Sequence, residues 1–172
     1  TITFDTRGGA DISPITEQFG TIVQLPENVA GRKHCIIMWW ENDSGDRVPF
    51  SFIVPSHNIT LHATLMCTHI SFAGDLIDLS KLVNSGISYS GTTVFIDSDL
   101  DFSDNLSEQF EPIGKDSSSS FQGTFDGQGH IINSLEIKSS SECVGLFGWI
   151  SESTIKNIVL GSSCFVVTPY AS

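Results

Sequence analysis

Short apolar runs fill most of the chain, and they alternate with polar residues or break at Gly, Ser, Asn and Asp. In ITLHATL the apolar side chains recur at every second position, at Ile59, Leu61, Ala63 and Leu65. A period of two is typical of a strand that buries one face. Because β-branched and aromatic runs of this kind recur between turn residues, the pattern predicts a mainly all-β protein.

The segment DLIDLSKLVNSG, residues 75–86, has a different period. Its apolar residues fall on one face of a helix, at Leu76, Ile77, Leu79, Leu82 and Val83. Glycine commonly ends a helix, so we predict one short helix closed by Gly86. The next segment, GTTVFIDSDLDF, returns to alternation, and four of its residues are predicted to point inward: Val94, Ile96, Leu100 and Phe102.

An internal repeat follows. GTFDGQGHIINSLEI, from Gly123, aligns with GLFGWISESTIKNIVL, from Gly145, if one residue is inserted, which gives a period of about 22 residues. The alignment predicts four stacked pairs: Phe125 on Phe147, Ile132 on Ile155, Leu135 on Ile158, and Ile137 on Leu160. A solenoid needs such recurrence, because each coil buries its inward side chains only against the coils above and below.

Residues 1–66 contain, in order, the motifs ITFDTRGGADISPIT, Phe19-Gly20, LPE, a Trp, PF and PSHNITLHA. In this order they resemble the Listeria–Bacteroides repeat, the internalin B type of β-grasp-like module. The middle departs from the family pattern, because RKHCIIMWW moves Trp39 about two residues later and Leu65 replaces the closing aromatic. The resemblance implies a β-grasp-like first domain.

From Ser71 to Cys164 the chain contains, in order, the motifs DLIDLSKLVNSG, GTTVFIDSDLDF, EPIG, FQGTFDGQGHIINSLEI, VGLFGWI and TIKNIVL. This order resembles the β-helix proteins that contain GLUG motifs. The resemblance implies a helix that caps the first coil of a right-handed parallel β-helix, on a secreted or surface-anchored protein. The expected organisation is a β-grasp-like repeat over 1–66, a linker and capping helix over 67–90, and β-helix coils over 91–172.

The charge of the chain narrows the classes of binding partner that we expect. The chain has 20 acidic and 8 basic residues and no Lys or Arg cluster, which argues against nucleic acid and anionic membranes. No apolar stretch approaches the length that spans a bilayer, so no membrane insertion is expected in this segment. The N-terminus lacks the regions of a signal peptide, and we expect the chain to be a piece of a longer protein.

The four cysteines suggest two disulfides. Cys143 and Cys164 lie 21 residues apart, close to the predicted repeat, and are expected to stack on neighbouring coils. Cys35 and Cys67 bracket the end of the first domain and form the second candidate pair. A disulfide across a loop of this size contributes about 3 kcal/mol, whereas the alternative is buried thiols that pack as small apolar groups.

Several segments are candidate sites. Asn42, Asn58 and Asn105 begin glycosylation sequons. Adjacent tryptophans on a strand face opposite sides, so one of Trp39 and Trp40 is expected in the core and the other is a candidate surface for glycan or protein.

Two groups of residues are candidate metal ligands, and each also has a simpler structural interpretation. Asp97, Asp99 and Asp101 alternate as Ca²⁺ ligands would, but Asp is also a common turn residue. A zinc site could use three histidines that lack ligand spacing, His57, His62 and His69. We predict no metal and no cofactor.

The segment FDGQGHII is the best catalytic candidate, because DGxGH also occurs near the start of β-helical polysaccharide lyases and hydrolases. Asp126 and His130 flank the turn Gly127–Gly129, where Asp and Gly have ordinary structural roles. We favour the structural interpretation and predict no catalytic residues.

The sequence therefore predicts an extracellular cell-surface protein fragment, a glycoprotein with disulfides, rather than an enzyme. Its expected role is that of a spacer and an adhesive, interaction or self-assembly module. The expected partners are a protein or glycan at a cell surface, or copies of itself. The alternatives are part of a carbohydrate-active β-helical enzyme, or a glycan-binding module.

Overall fold

The computed structural model describes residues 1–7, 9–28, 33–103, 109–138 and 143–167. The chain divides into two compact units, Thr1–Met66 and Cys67–Ser172. The described residues are mainly β-strand with one α-helix. Across these ranges, no helix has the length and apolar character needed to cross a lipid bilayer.

The first unit holds a mixed sheet and a separate two-stranded ribbon. Its strands are β1 (Ile2–Asp5), β2 (Ile22–Gln24), β3 (Cys35–Glu41), β4 (Arg47–Val48), β5 (Ser51–Ile53) and β6 (Ile59–Cys67). The sheet has the order β1-β6-β3-β4, with β1 parallel to β6 and β3 antiparallel to β4, while β2 and β5 form the antiparallel ribbon.

The core of this unit follows the predicted alternation of β6. Leu61, Ala63 and Leu65 are buried and Ile59 is half-buried. The Trp40 ring is also fully buried, and its centroid lies 5.0 Å from that of Phe4 on β1.

The second unit begins with β7 (His69–Ile70) and α1 (Ala73–Asn84). Asp75 in the first turn of the helix accepts hydrogen bonds from the N–H groups of Ser71 and Phe72, at 3.0 and 3.1 Å. These bonds satisfy donors that a helix N-terminus otherwise leaves without partners. At the other end Gly86 has a φ of 102° and Ile87 donates to the carbonyl of Leu82, so the predicted closure at Gly86 is confirmed.

The other strands in the described part of this unit are short and parallel to their neighbours. They are β8 (Thr93–Ile96), β9 (Leu100–Asp101), β10 (Thr124–Asp126), β11 (Ile131–Asn133), β12 (Glu136–Lys138), β13 (Thr154–Lys156), β14 (Val159–Leu160) and β15 (Phe165–Val167). They form three small sheets with the orders β13-β10-β8-β7, β14-β11-β9 and β12-β15. Every strand pair in these sheets is parallel.

Residues held in register on successive parallel segments form columns. Three of the columns are apolar throughout and have three members each: Val94–Phe125–Ile155, Leu100–Ile132–Leu160 and Phe110–Ile137–Val166. Two more have two described members, Ile113–Phe147 and Phe121–Ile150. The earlier members are buried, which includes the predicted inward residues Val94 and Leu100. The interior of this unit is therefore built from stacked aliphatic and aromatic side chains.

The predicted 22-residue register is wrong. Members of the three-residue columns are 27 to 32 residues apart, so Phe125 pairs with Ile155 and not with Phe147. Likewise Ile132 pairs with Leu160 and Ile137 with Val166. Phe147, in the GLFG motif, bridges Ile113 instead. The two Gly-rich segments are alike in sequence, but their phenylalanines belong to different columns: Phe125 pairs with Val94 and Ile155, and Phe147 pairs with Ile113.

Candidate functional site

The DGQG turn after β10 is organised by the Asp126 carboxylate, which is 9% exposed. Oδ1 of Asp126 accepts hydrogen bonds from the N–H of Gln128 at 3.0 Å and from Nδ2 of Asn157 at 2.9 Å. Oδ2 lies 3.1 Å from Nζ of Lys156. The Asn157 amide, the Gln128 N–H and the Lys156 ammonium together hold the pKa of Asp126 below its usual value, although burial opposes them. The carboxylate is thus held by three donors, two on Oδ1 and one on Oδ2, which favour its ionised form.

Glycine is required inside this turn. A Cβ on Gly127 would collide with the backbone carbonyl oxygen of Asn157, and Gly129 has a φ of 81°. The N–H groups of both glycines donate to the 156–157 backbone at 3.0 Å. The close approach of the DGQG turn to residues 156–157 therefore explains the glycines of this motif. Neither Lys156 nor Asn157 was a predicted site residue, because only the register of the parallel strands brings them beside Asp126.

The structure gives His130 a different carboxylate partner. Nδ1 of His130 lies 3.2 Å from Oδ1 of Asp99, which also accepts the N–H of Ile131 at 2.9 Å. These two contacts lower the pKa of Asp99, with the Ile131 N–H the larger cause. A shallow groove of about 460 Å³ beside Asp126 has a lining that does not include His130. Asp126 and His130 are therefore not arranged as a shared acid–base pair.

The candidate calcium ligands also have separate partners. Asp97 lies 2.9 Å from Nδ1 of His69, Asp99 binds His130, and Asp101 accepts the N–H of Ser103 at 2.9 Å. Throughout the part of the chain that the structure describes, no group of three or more His, Cys, Asp or Glu side chains is placed to hold a metal ion.

His62 on β6 bridges two carboxylates. Its Nδ1 lies 3.0 Å from Oδ2 of Asp5 on β1, and its Nε2 lies 2.9 Å from Oδ1 of Asp43 in the β3–β4 turn. An ionised carboxylate only accepts hydrogen bonds, so both contacts form together only when both ring nitrogens carry protons. Partial burial opposes the charged ring, yet the hydrogen bonds to Asp43 and Asp5 raise the pKa of His62 above its usual value. His57 and His69 do not join this cluster, and no sequence signal marked it.

The tryptophan pair splits as predicted between core and surface. Nε1 of the buried Trp40 donates to the carbonyl of Pro26 at 2.9 Å. Trp39 is half-buried, its Nε1 donates to Glu41 at 2.7 Å, and the Arg47 guanidinium lies 3.6 Å from its ring centroid. The guanidinium covers one face of the indole as a cation–π contact. The Trp39 side chain is held in a fixed orientation at the surface of the β3–β4 hairpin.

A disulfide joins Cys35 and Cys67. The two residues are the first of β3 and the last of β6, which are neighbouring strands of one sheet.

The predicted bridge between Cys143 and Cys164 is not formed, and both are thiols. Phe165 pairs with Glu136, so Cys164 stands beside Leu135 and not beside Cys143. Its Sγ donates to the carbonyl of Ile132 at 3.0 Å. The bridge was inferred from the 22-residue period, which the structure does not have.

The sequons differ in their surroundings. The Asn42 side chain organises the β3–β4 turn: its Oδ1 accepts the N–H groups of Ser44 and Asp46 at 2.9 Å, and its Nδ2 donates to Asp46 Oδ2. Asn58 is exposed immediately before β6. Asn105 lies outside the described residues.

Comparison with known proteins gave no match: no protein-family model, no curated protein and no solved structure is similar to the chain. The functional interpretation accordingly rests on the residues and geometry described above.

Proposed function

We propose that the chain is an extracellular structural and adhesive module, in which the second unit is the helix-capped start of a right-handed parallel β-helix. The first unit serves as a β-grasp-like spacer of the Listeria–Bacteroides repeat type. The observation that carries the proposal is the set of apolar columns, because three successive segments contribute one in-register side chain to each of three such columns.

Packing between the columns supports a β-helical interior. The Phe147 ring lies 5.5 Å from that of Phe121 and 5.2 Å from that of Phe125, measured between centroids. Aromatic pairs at these distances add about 0.5–1.5 kcal/mol each beyond the area that they bury. Side chains from different columns thus meet in one interior, as they do where a parallel strand ribbon winds around a core.

The disulfide supports an oxidising compartment. Disulfides persist in secreted proteins and at cell surfaces, and small domains with limited cores depend on them most. The Cys35–Cys67 bridge joins the first residue of β3 to the last residue of β6, and it cross-links a small sheet. The exposed sequon at Asn58 agrees with secretion from a eukaryotic cell.

A structural role is favoured over catalysis by a β-helical carbohydrate-active enzyme. The groove beside Asp126 contains a carboxylate that already binds three donors, and His130 binds Asp99. Acid–base catalysis by this pair would need both groups directed at one substrate. Asp126 lines the groove and His130 does not, so the two candidate side chains do not share this site.

Glycan binding through Trp39 is the second candidate, favoured by the fixed, half-exposed indole. A glycan array probed with the chain and with Trp39→Ala tests it. Signal that Trp39→Ala abolishes and Phe19→Ala retains would support glycan binding, since Phe19 is an exposed aromatic elsewhere in the unit. Equal signal from both variants would remove Trp39 from a binding role.

Antibody labelling of intact and permeabilised source cells tests the proposed function. We expect labelling of intact cells, released by extracellular protease. Labelling that appears only after permeabilisation would contradict an extracellular role.

A further inference from the structure

The sheet β1-β6-β3-β4 places its first and last strands side by side. Of its four strands, β1 comes first in the chain and β6 comes last. The two strands are parallel, with Ile2–Asp5 paired in register with residues 59–62. Tension applied along the chain therefore pulls on the start of β1 and on the end of β6, in opposite directions along the strand axis. This direction of pulling shears the two strands past each other.

Shear loads every bond between β1 and β6 at once. The backbone hydrogen bonds of a parallel pair are evenly spaced along the strands, so none of them carries the load alone. Two side-chain contacts join the same strands: Oγ1 of Thr3 lies 3.0 Å from Oγ1 of Thr60, and Nδ1 of His62 lies 3.0 Å from Oδ2 of Asp5. Separating the strands under tension therefore requires these bonds to break together.

Other contacts hold β1 on its second edge and on its buried face. Ile2 exchanges two backbone hydrogen bonds with Ile15, at 2.8 and 3.0 Å. The side chains of Ile2 and Leu61 are fully buried, and the ring centroid of Phe4 lies 5.0 Å from that of Trp40. Hydrogen bonds that are shielded from water are stronger than exposed ones. β1 is thus bonded along both edges and packed on the core.

The Cys35–Cys67 disulfide determines which residues tension can extend. It joins the first residue of β3 to the last residue of β6, where tension leaves the sheet. Residues 36–66 therefore form a covalently closed loop, and the load passes across the bridge instead of through the loop. Once β1 is pulled away, only residues 1–35 can be stretched while the bridge is intact.

We propose that the β1–β6 pair is a shear clamp that resists tension along the chain, and that the Cys35–Cys67 bridge limits the length released when the clamp breaks. This inference rests on the proposed function, because tension arises in a spacer between a cell surface and a bound partner. A stretched chain spans at most about 3.5 Å per residue, and folded β6 already spans about 26 Å. The released length should be about 10 nm with the bridge and about 20 nm without it.

Single-molecule force spectroscopy of the 172-residue chain tests the limit set by the bridge. Peptide-tag handles hold the two chain ends, in a Cys143→Ser/Cys164→Ser background. We expect one unfolding event to release about 10 nm in oxidising buffer and about 20 nm after a reducing agent is added. Adding Cys35→Ser/Cys67→Ser should give about 20 nm in both buffers. Released lengths that do not change with the reducing agent would overturn this limit.

Moving one handle tests the shear direction on the same bonds. Asn58 is exposed immediately before β6, and the N–H of Ile59 donates to the carbonyl of Thr1 at 3.1 Å. A handle on Asn58→Cys, with the other still at the N-terminus, peels β1 from β6 one bond at a time. Forced unfolding follows the unfolding rate, so peeling should need a several-fold lower force at the same loading rate. Equal forces in the two directions would overturn the shear clamp.

The clamp and the extracellular role can fail independently, because force spectroscopy uses purified protein and labelling uses source cells. Equal forces in the two directions, with labelling of intact cells, would reject the clamp alone. A several-fold difference in force, with labelling only after permeabilisation, would reject the extracellular role alone.

Discussion

The two units reach a buried core by different means. The first unit closes a mixed sheet with a disulfide between neighbouring strands, and Trp40 and Leu61 are fully buried inside it. The second unit, in its described part, uses several small parallel sheets whose in-register side chains form columns, and its helix α1 lies between β7 and β8 in the chain. In the second unit burial falls along each column: Ile132 and Ile137 are at most 4% exposed, whereas their successors Leu160 and Val166 are 52% and 49% exposed.

The largest effect is expected inside a column. Phe125→Ala removes a fully buried ring and should lower the free energy of unfolding by about 3–5 kcal/mol. Phe165→Ala, on β15, removes a ring that is 52% exposed and should change stability by less than about 1 kcal/mol. Chemical denaturation monitored by circular dichroism measures both. Similar losses from the two substitutions would contradict the distinction between buried and exposed positions on the parallel strands.

The second largest loss of stability is expected when the disulfide is removed. Cys35→Ser/Cys67→Ser should destabilise the first unit by about 3–4 kcal/mol, because the bridge restricts the unfolded chain. A reducing agent should have the same effect on the unmodified chain and on Cys143→Ser/Cys164→Ser, and no effect on the double variant without the bridge. Thermal unfolding with and without reductant checks this. Equal stability in both conditions would show that the bridge contributes nothing to the first unit.

A smaller effect is expected in the pH dependence of the first unit's stability. Folding raises the pKa of His62, so its contribution is full below the ordinary value of 6.5 and is lost as pH rises through the raised value. The loss should be no more than about 1 kcal/mol, because the pair is partly exposed. His62→Gln should remove this part of the pH dependence, while His57→Gln, at an exposed position, should keep it. Denaturant titrations from mildly acidic to alkaline pH measure the difference, and an unchanged profile in His62→Gln would count against the bridge.

Local features were predictable from the sequence. The period of the helix, its end at Gly86 and the alternation in β6 depend on residues close together in the chain, as does the division of the Trp pair between core and surface. Propensity and hydrophobic period report such local choices directly.

The register of the parallel strands was not predictable in the same way. GLFG resembles the segment at Gly123, yet Phe147 bridges Ile113. Residues close together in the sequence do not determine which distant segments pair as neighbouring parallel strands. The error carried over to Cys143 and Cys164. The His62 bridge was missed for the same reason, since Asp5 lies 57 residues away and Asp43 lies 19 residues away.

The intrachain disulfide of Ile131→Cys/Val159→Cys, in a Cys143→Ser/Cys164→Ser background, tests the stacked register most directly. Parallel neighbours lie about 5 Å apart, within the Cα separation that a disulfide tolerates. Mass spectrometry after mild oxidation should find the 131–159 link in high yield and no link in Ile137→Cys/Leu160→Cys, which the 22-residue period would pair. A 137–160 link without a 131–159 link would contradict the parallel register in which Ile131 pairs with Val159.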